Sequence, residues 1–168
     1  VLISFVFYAW GSPVYLLLLL LVTVFNYCVG LDIGNCAELG QRGTKFLLVI
    51  GVLFNLLLLG FYKYAAFAIE TLNAILPFTL NAPSAALPLG ISFFTFTQIA
   101  FLVDAWRGEA KEFNFVHYTL FVTYFPHLIA GPVLHHREMM PQFARAATYR
   151  LDWENIAVGL VIFGIGIF

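Results

Sequence analysis

Four histidines, His117, His127, His135 and His136, together with Arg137, are the side chains of this chain best suited to moving protons or binding anions. His135, His136, Arg137 and Glu138 form the densest polar cluster. Adjacent histidines diverge on a helix, so His135 and His136 do not make the i, i+4 pair that shares a metal. His135 and Glu138 stand at i, i+3, but a carboxylate-bridged metal pair needs more carboxylates inside apolar segments than this sequence supplies. No metal site is expected. Two roles suit the cluster. One is a basic turn against lipid phosphate. The other is a site for a phosphorylated or carboxylated ligand at the mouth of a cavity, where a guanidinium grips oxyanions through paired donors.

The segment Phe113–Leu134, FNFVHYTLFVTYFPHLIAGPVL, carries His117, His127, Pro126 and the pair Gly131-Pro132. Pro126 removes a backbone donor and clashes with the preceding turn, and Gly131-Pro132 should end the helix. Broken backbone at membrane depth is tolerated where it is buried in protein or lines a cavity, so this segment is expected to wall a polar passage. As a helix, it would set His117 and Tyr124 on nearly one face, with His127 about 80° further round. His117 reads best as donating to a carbonyl. For His127 that reading and a place on the passage wall both stay open. Ser92, Thr95 and Gln98 recur at i, i+3 and i+6, a drifting polar flank on another helix. Asn26 and Asn55 are lone amides in apolar runs. Hydrogen bonds between helices are the ordinary work of such groups, and they are expected of Asn26, Asn55, Ser92 and Thr95, with Gln98 left open. Asp104 should cap a helix end or pair with Arg107. The G-x-S-x-G, H-E-x-x-H and P-loop motifs are absent.

The elements that must hold these groups are set by hydropathy. Of 168 residues, 62% are hydrophobic and 10% charged, with mean hydropathy +0.93. So few charges cannot cover a soluble surface, which excludes an ordinary soluble globule, a disordered tail and a nucleic-acid binder. Two cysteines, Cys28 and Cys36, exclude a disulfide scaffold. A spanning helix needs roughly 20 apolar residues. Val14–Val29, Phe46–Tyr62, Leu87–Val103 and Phe113–Leu134 are predicted as four spans of an all-α, polytopic transmembrane helical bundle, one domain over 1–168. Val1–Trp10, stopped by Gly11, Ser12 and Pro13, and Ile156–Phe168 are apolar but short, so partial segments of a longer protein are expected at both ends. Val1–Trp10 lacks the basic region and cleavage site of a signal peptide.

Between the spans, Leu31–Thr44 and Tyr64–Ala86 read as loops. The stretch AAFAIETLNAIL within the second suits a short helix along the membrane surface. Gly51, Gly60 and Gly90 are expected at close helix contacts. Trp10, Tyr15, Tyr62 and Trp106 fall where interfacial aromatic belts sit. Basic residues divide four to four between the two sides. The concentration of Arg137, Arg145 and Arg150 draws Leu134–Leu151 to the cytoplasmic side.

Two longer runs carry a family resemblance. PLGISFFTFTQIAFLVDAWRGE, Pro88 to Glu109, and YFPHLIAGPVLHHREMMPQF, Tyr124 to Phe143, resemble signature stretches of the membrane-bound O-acyltransferases, in particular the bacterial alginate O-acetylation branch. FYAWGSPVYLLLLL fits the same branch near its N-terminus. His135 and His136 depart from the arginine and aromatic residue common at those positions. The resemblance implies helices packed around a tunnel in the bacterial cytoplasmic membrane. It implies transfer of an acyl group, often acetyl, from a cytoplasmic thioester such as acetyl-CoA to a hydroxyl of an extracytoplasmic polysaccharide or its carrier protein. The partners would then be the bilayer, the acyl donor and proteins of polysaccharide modification, with no bound cofactor. The family's catalytic histidine would lie beyond Phe168, so no catalytic residue is expected in this chain. Gln98, His127, His135, His136 and Arg137 are its substrate-binding or tunnel-lining candidates, in supporting roles. A transporter or assembly subunit is the alternative, since broken helices beside polar residues suit those too.

Overall fold

The first apolar run breaks where Gly11, Ser12 and Pro13 stand. In the computed structural model, α1 covers Leu2–Gly11 and α2 covers Pro13–Asn35. Ser12 between them is extended, at φ −166° and ψ 118°. Pro13 takes the first helical position, where its missing N–H leaves no bond unmade. The structure describes all residues except 36–39, 76–78, 82–85, 111–113, 125–135, 144 and 168; for 40, 41, 136–138, 146 and 147 it describes the backbone.

Helix α3 is the longest element, Gly40–Ile75, 36 residues. At 1.5 Å per residue it is about 54 Å long, well beyond a bilayer core of about 30 Å. This corrects the two expected loops. Leu31–Asn35 continues α2, and Ala65–Ile75 of the stretch AAFAIETLNAIL continues α3 and is not a separate surface helix. Hydropathy marks where a helix leaves lipid, not where it ends. Lys63 and Glu70 are good helix formers, and no Gly or Pro interrupts the chain between Gly60 and Ile75. Just beyond α3, Asn73 clips the chain back. Its Nδ2 donates to the Leu80 carbonyl at 2.9 Å, and the Leu80 N–H donates to its Oδ1 at 2.7 Å.

Helix α4 covers Ile91–Trp106. Gly90, at φ 69°, holds the left-handed turn that starts it, and Gly108, at φ 72°, the one that stops it. The stop is a Schellman motif: the Gly108 N–H donates to the Ala105 carbonyl at 3.1 Å and the Glu109 N–H to the Asp104 carbonyl at 2.8 Å. Helix α5, Phe115–Thr123, is capped by Asn114, whose Oδ1 accepts from the N–H groups of Val116 and His117. Helix α6 covers His136–Phe143, a 3₁₀ turn Ala146–Tyr149, and α7 Trp153–Ile167. Asp152 caps α7 through the Glu154 N–H at 3.0 Å. No strand occurs among the described residues, and the all-α expectation holds.

Among the described residues, two helices, α2 and α3, are long and apolar enough to cross a membrane. The third predicted span yields the 16 residues of α4, because Pro88 and the left-handed Gly90 lie outside the helix. Among the described residues, the fourth yields the nine residues of α5, which ends at Thr123 with Tyr124 extended at ψ 99°. The expected helical register of His117 with Tyr124 therefore fails, since Tyr124 is no longer on the helix.

Helix α4 is the hub, touching α2, α3, α5 and α6. One stripe of α2 packs toward it: Leu19, Val22, Thr23, Asn26, Gly30 and Ile33. From α3 come Gly51, Asn55 and Leu59, at i, i+4 and i+8. Phe94, Phe101 and Leu102 fill the space between.

Candidate functional site

The polar residues buried in the bundle converge on one place. Asn26 of α2, Asn55 of α3 and Gln98 of α4 are each fully buried and meet across the three helices. Asn26 Nδ2 donates to its own helix at the Val22 carbonyl, 2.9 Å away, lies 3.3 Å from Asn55 Oδ1 and contacts Gln98 Oε1. Asn55 Nδ2 donates to Asn26 Oδ1 at 2.6 Å and to the Gly51 carbonyl at 2.8 Å. The two protons of Asn26 are thus shared among three acceptors. Among the described residues, Gln98 Nε2 and Thr95 Oγ1 have no hydrogen-bond partner. A buried donor left unpaired costs roughly 1–3 kcal/mol, so both atoms are unsettled groups of the core.

The helices approach closely enough for this contact because two small residues stand in the seams. A Cβ on Gly30 would collide with the Phe101 ring, and one on Gly51 would lie 2.6 Å from Leu102 Cδ1. The expected role of Gly51 is therefore observed, whereas Gly60 faces open space and Gly90 serves backbone conformation. Phe101 in turn stacks on Tyr118 of α5, with centroids 4.4 Å apart. Amides do not ionise, so the Asn26–Asn55–Gln98 cluster binds and orients. It does not exchange protons.

The interhelical role expected of Asn26 and Asn55 is observed. Gln98, left open, joins them. Thr95 is buried, and its hydroxyl makes no such bond among the described residues. Of the other candidates, His127 and His135 lie outside the described residues. His136 and Arg137 open α6, which packs on α4 and α5. Asp104 is buried in the last turn of α4, where its carbonyl closes the Schellman stop. At the other face, the Tyr8 hydroxyl donates to the Leu89 carbonyl at 2.6 Å and Tyr15 to the Ala86 carbonyl at 2.5 Å, fixing α1 and α2 to the approach to α4. Tyr15 also meets Tyr62 edge-on at 6.1 Å. Sequence reasoning flagged each amide but not their meeting, since the partners are 29 and 72 residues apart.

The chain is 44% identical to the probable alginate O-acetylase of Pseudomonas aeruginosa over 83% of its own length and 28% of that protein. It is 39% identical to the peptidoglycan O-acetyltransferase of Helicobacter pylori over all of its own length and 36% of that protein. The probable alginate O-acetylase of Azotobacter vinelandii is 42% identical over 89% of this chain and 30% of that protein. The chain belongs to the membrane-bound O-acyltransferase family. No protein-family model and no solved structure matches it. The chain spans about a third of the length of these curated relatives. Within this chain, the run Pro88–Glu109 that carried the resemblance comprises α4 with its two glycine turns, so the signature coincides with the hub of the bundle.

Proposed function

We propose that this chain is part of a bacterial, multi-pass membrane O-acyltransferase of the cytoplasmic membrane. It takes an acyl group, in the first place acetyl, from a cytoplasmic thioester such as acetyl-CoA. The acceptor is a hydroxyl of an extracytoplasmic polysaccharide or of a carrier protein. The observation that carries this reading is the similarity to two O-acetyl-transferring relatives across nearly the whole chain.

In the reaction, the acceptor oxygen attacks the thioester carbonyl carbon and the C–S bond breaks. The hydroxyl proton passes through a base to the departing sulfur. Such a step needs a base and donors for the oxyanion, kept from bulk water. The bundle of α2, α3 and α4 supplies a rigid wall for that passage. Arg137 would hold an anionic end of the donor, with His135 and His136 beside it, and His127 and Gln98 would line the passage in supporting roles. The principal base would come from elsewhere in the protein.

The test is acetyl transfer from labelled acetyl-CoA to a polysaccharide acceptor by the full-length protein in membranes. Arg137→Ala should lower kcat/KM about tenfold, as expected for losing a charged hydrogen bond. Rates unchanged from wild type in both Arg137→Ala and His127→Ala would remove both residues from the site. Polymer or ion flux in liposomes without acylation would replace the enzyme reading by the transporter reading.

A further inference from the structure

The region after α6 forms a groove that the acyl-transfer reading leaves unused. It has a volume of about 1010 Å³ between the end of α6, the 3₁₀ turn and the start of α7, and Gln142, Arg145, Thr148, Arg150, Asp152 and Ile156 are among the residues that line it. Its backbone is held by local bonds. The Thr148 hydroxyl donates to the Gln142 carbonyl at 2.6 Å, and the Tyr149 hydroxyl to the Phe143 carbonyl at 2.9 Å.

The charges in the groove are unbalanced. Arg145 and Arg150 are exposed, and neither guanidinium forms an ion pair among the described residues. One carboxylate, Asp152, lines the groove with them, and the two guanidinium charges exceed it. Asp152 Oδ1 accepts from the N–H groups of Glu154 and Asn155, and Oδ2 from Asn155 Nδ2 at 2.8 Å. Beyond the groove, α7 runs on as a helix with no buried residue, and Leu160, Val161, Ile162 and Phe163 are all more than 60% exposed. A polar, basic mouth thus opens directly onto an apolar rail, the stretch Ile156–Ile167 of α7, about 18 Å long.

We propose that this groove is a site for an anionic phospholipid, with the phosphate diester held by Arg145 and Arg150 and the acyl chains lying along α7. Charge complementarity selects the headgroup, because paired guanidinium donors suit phosphate oxygens. The continuity of mouth and rail selects a lipid over a soluble phosphate, which would use only the mouth. The inference does not depend on acyl transfer.

The experiment uses the protein in nanodiscs of phosphatidylcholine containing a trace of diazirine-bearing phosphatidylglycerol. Photolabelling should fall on peptides containing α7 and the 3₁₀ turn. Titration of unlabelled phosphatidylglycerol should compete with it far better than phosphatidylcholine does. Each basic residue near an anionic lipid contributes about a fivefold factor, so Arg145→Ala with Arg150→Ala should weaken competition about thirtyfold. Lys63→Ala, with its charge on α3, should leave it unchanged. Labelling mainly elsewhere in the wild-type protein would overturn the proposal, whatever the variants do. So would displacement of the lipid by coenzyme A at equal concentration, which would assign the groove to a soluble phosphate. Retained affinity in the double variant would overturn it as well.

Discussion

Helices α2, α3 and α4 and helix α7 are built from the same kind of residues, yet they behave in opposite ways. The first three knit into a core around Asn26, Asn55 and Gln98. Helix α7 is as apolar as any of them, and none of its residues is buried by the described residues. Glycine does not separate the two regions. Gly30 and Gly51 sit against Phe101 and Leu102, whereas Gly159, Gly164 and Gly166 of α7 have no neighbour within 4 Å. What α7 lacks is a polar side chain along its apolar length. In lipid, apolar surface alone gives helices no reason to associate, because the acyl chains solvate it equally well. Shape fit and hydrogen bonding decide the matter, and only the core has both.

The contrast breaks most visibly at the glycines. Gly30→Leu should drive a branched side chain into the Phe101 ring and cost about 3 kcal/mol, at the upper end for overpacking a core. Gly159→Leu, in open surroundings, should be neutral or slightly stabilising, since glycine is a poor helix former. Thermal unfolding in detergent, followed by circular dichroism, compares the two. Equal shifts would mean that the seam between α2 and α4 is not tight.

Next in size is the amide cluster. Asn26→Leu strands a carbonyl on Gln98 and an N–H on Asn55, and should cost about 1–3 kcal/mol. A double-mutant cycle of Asn26→Leu with Gln98→Leu isolates the pair. Coupling within membranes averages about 0.6 kcal/mol and reaches about 1.7, and this pair belongs at the upper end because both partners are fully buried. Zero coupling would mean that the three helices are held by packing alone.

The sequence made some of this legible and hid the rest for identifiable reasons. The break at Gly11-Ser12-Pro13 was plain, because proline and glycine act through local backbone geometry. The all-α class followed from the length of the apolar runs. Helix ends were misread wherever polarity changed without a breaker: α2 continues through Leu31–Asn35, and α3 through Lys63 and Glu70 to Ile75. In Phe113–Leu134 the hydropathy suggested a span broken near Pro126; α5 ends at Thr123, and Pro126 itself lies outside the described residues. At the candidate site, Gln98 was chosen for its polarity and found in a network. That network is tertiary and has no signature in spacing along the chain. His127 and His135 fall outside the described residues, and their placement on the passage rests on the sequence alone.

A smaller effect tests the edge of the core. Tyr8→Phe removes the hydroxyl that donates to the Leu89 carbonyl and should cost about 0.5–1.5 kcal/mol, the net value of one such bond. Tyr15→Phe, whose hydroxyl partner is the more exposed Ala86 carbonyl, should cost less in the same unfolding assay. The reverse order would place the stronger fastening on α2 instead of α1.

The smallest effect is the most discriminating for α7. Phe163 is 67% exposed, so in detergent its side chain meets micelle both before and after the bundle unfolds. Truncation then removes the same contact from both states, and Phe163→Ala should fall within about 0.5 kcal/mol. A phenylalanine packed inside protein loses about 3–5 kcal/mol on the same change. The experiment therefore measures what surrounds α7 in the full-length protein. A near-zero shift leaves α7 as the lipid-facing rail described above. A loss of several kcal/mol would mean that another helix covers Phe163, and the difference between the two regions would then be one of partners and not of chemistry.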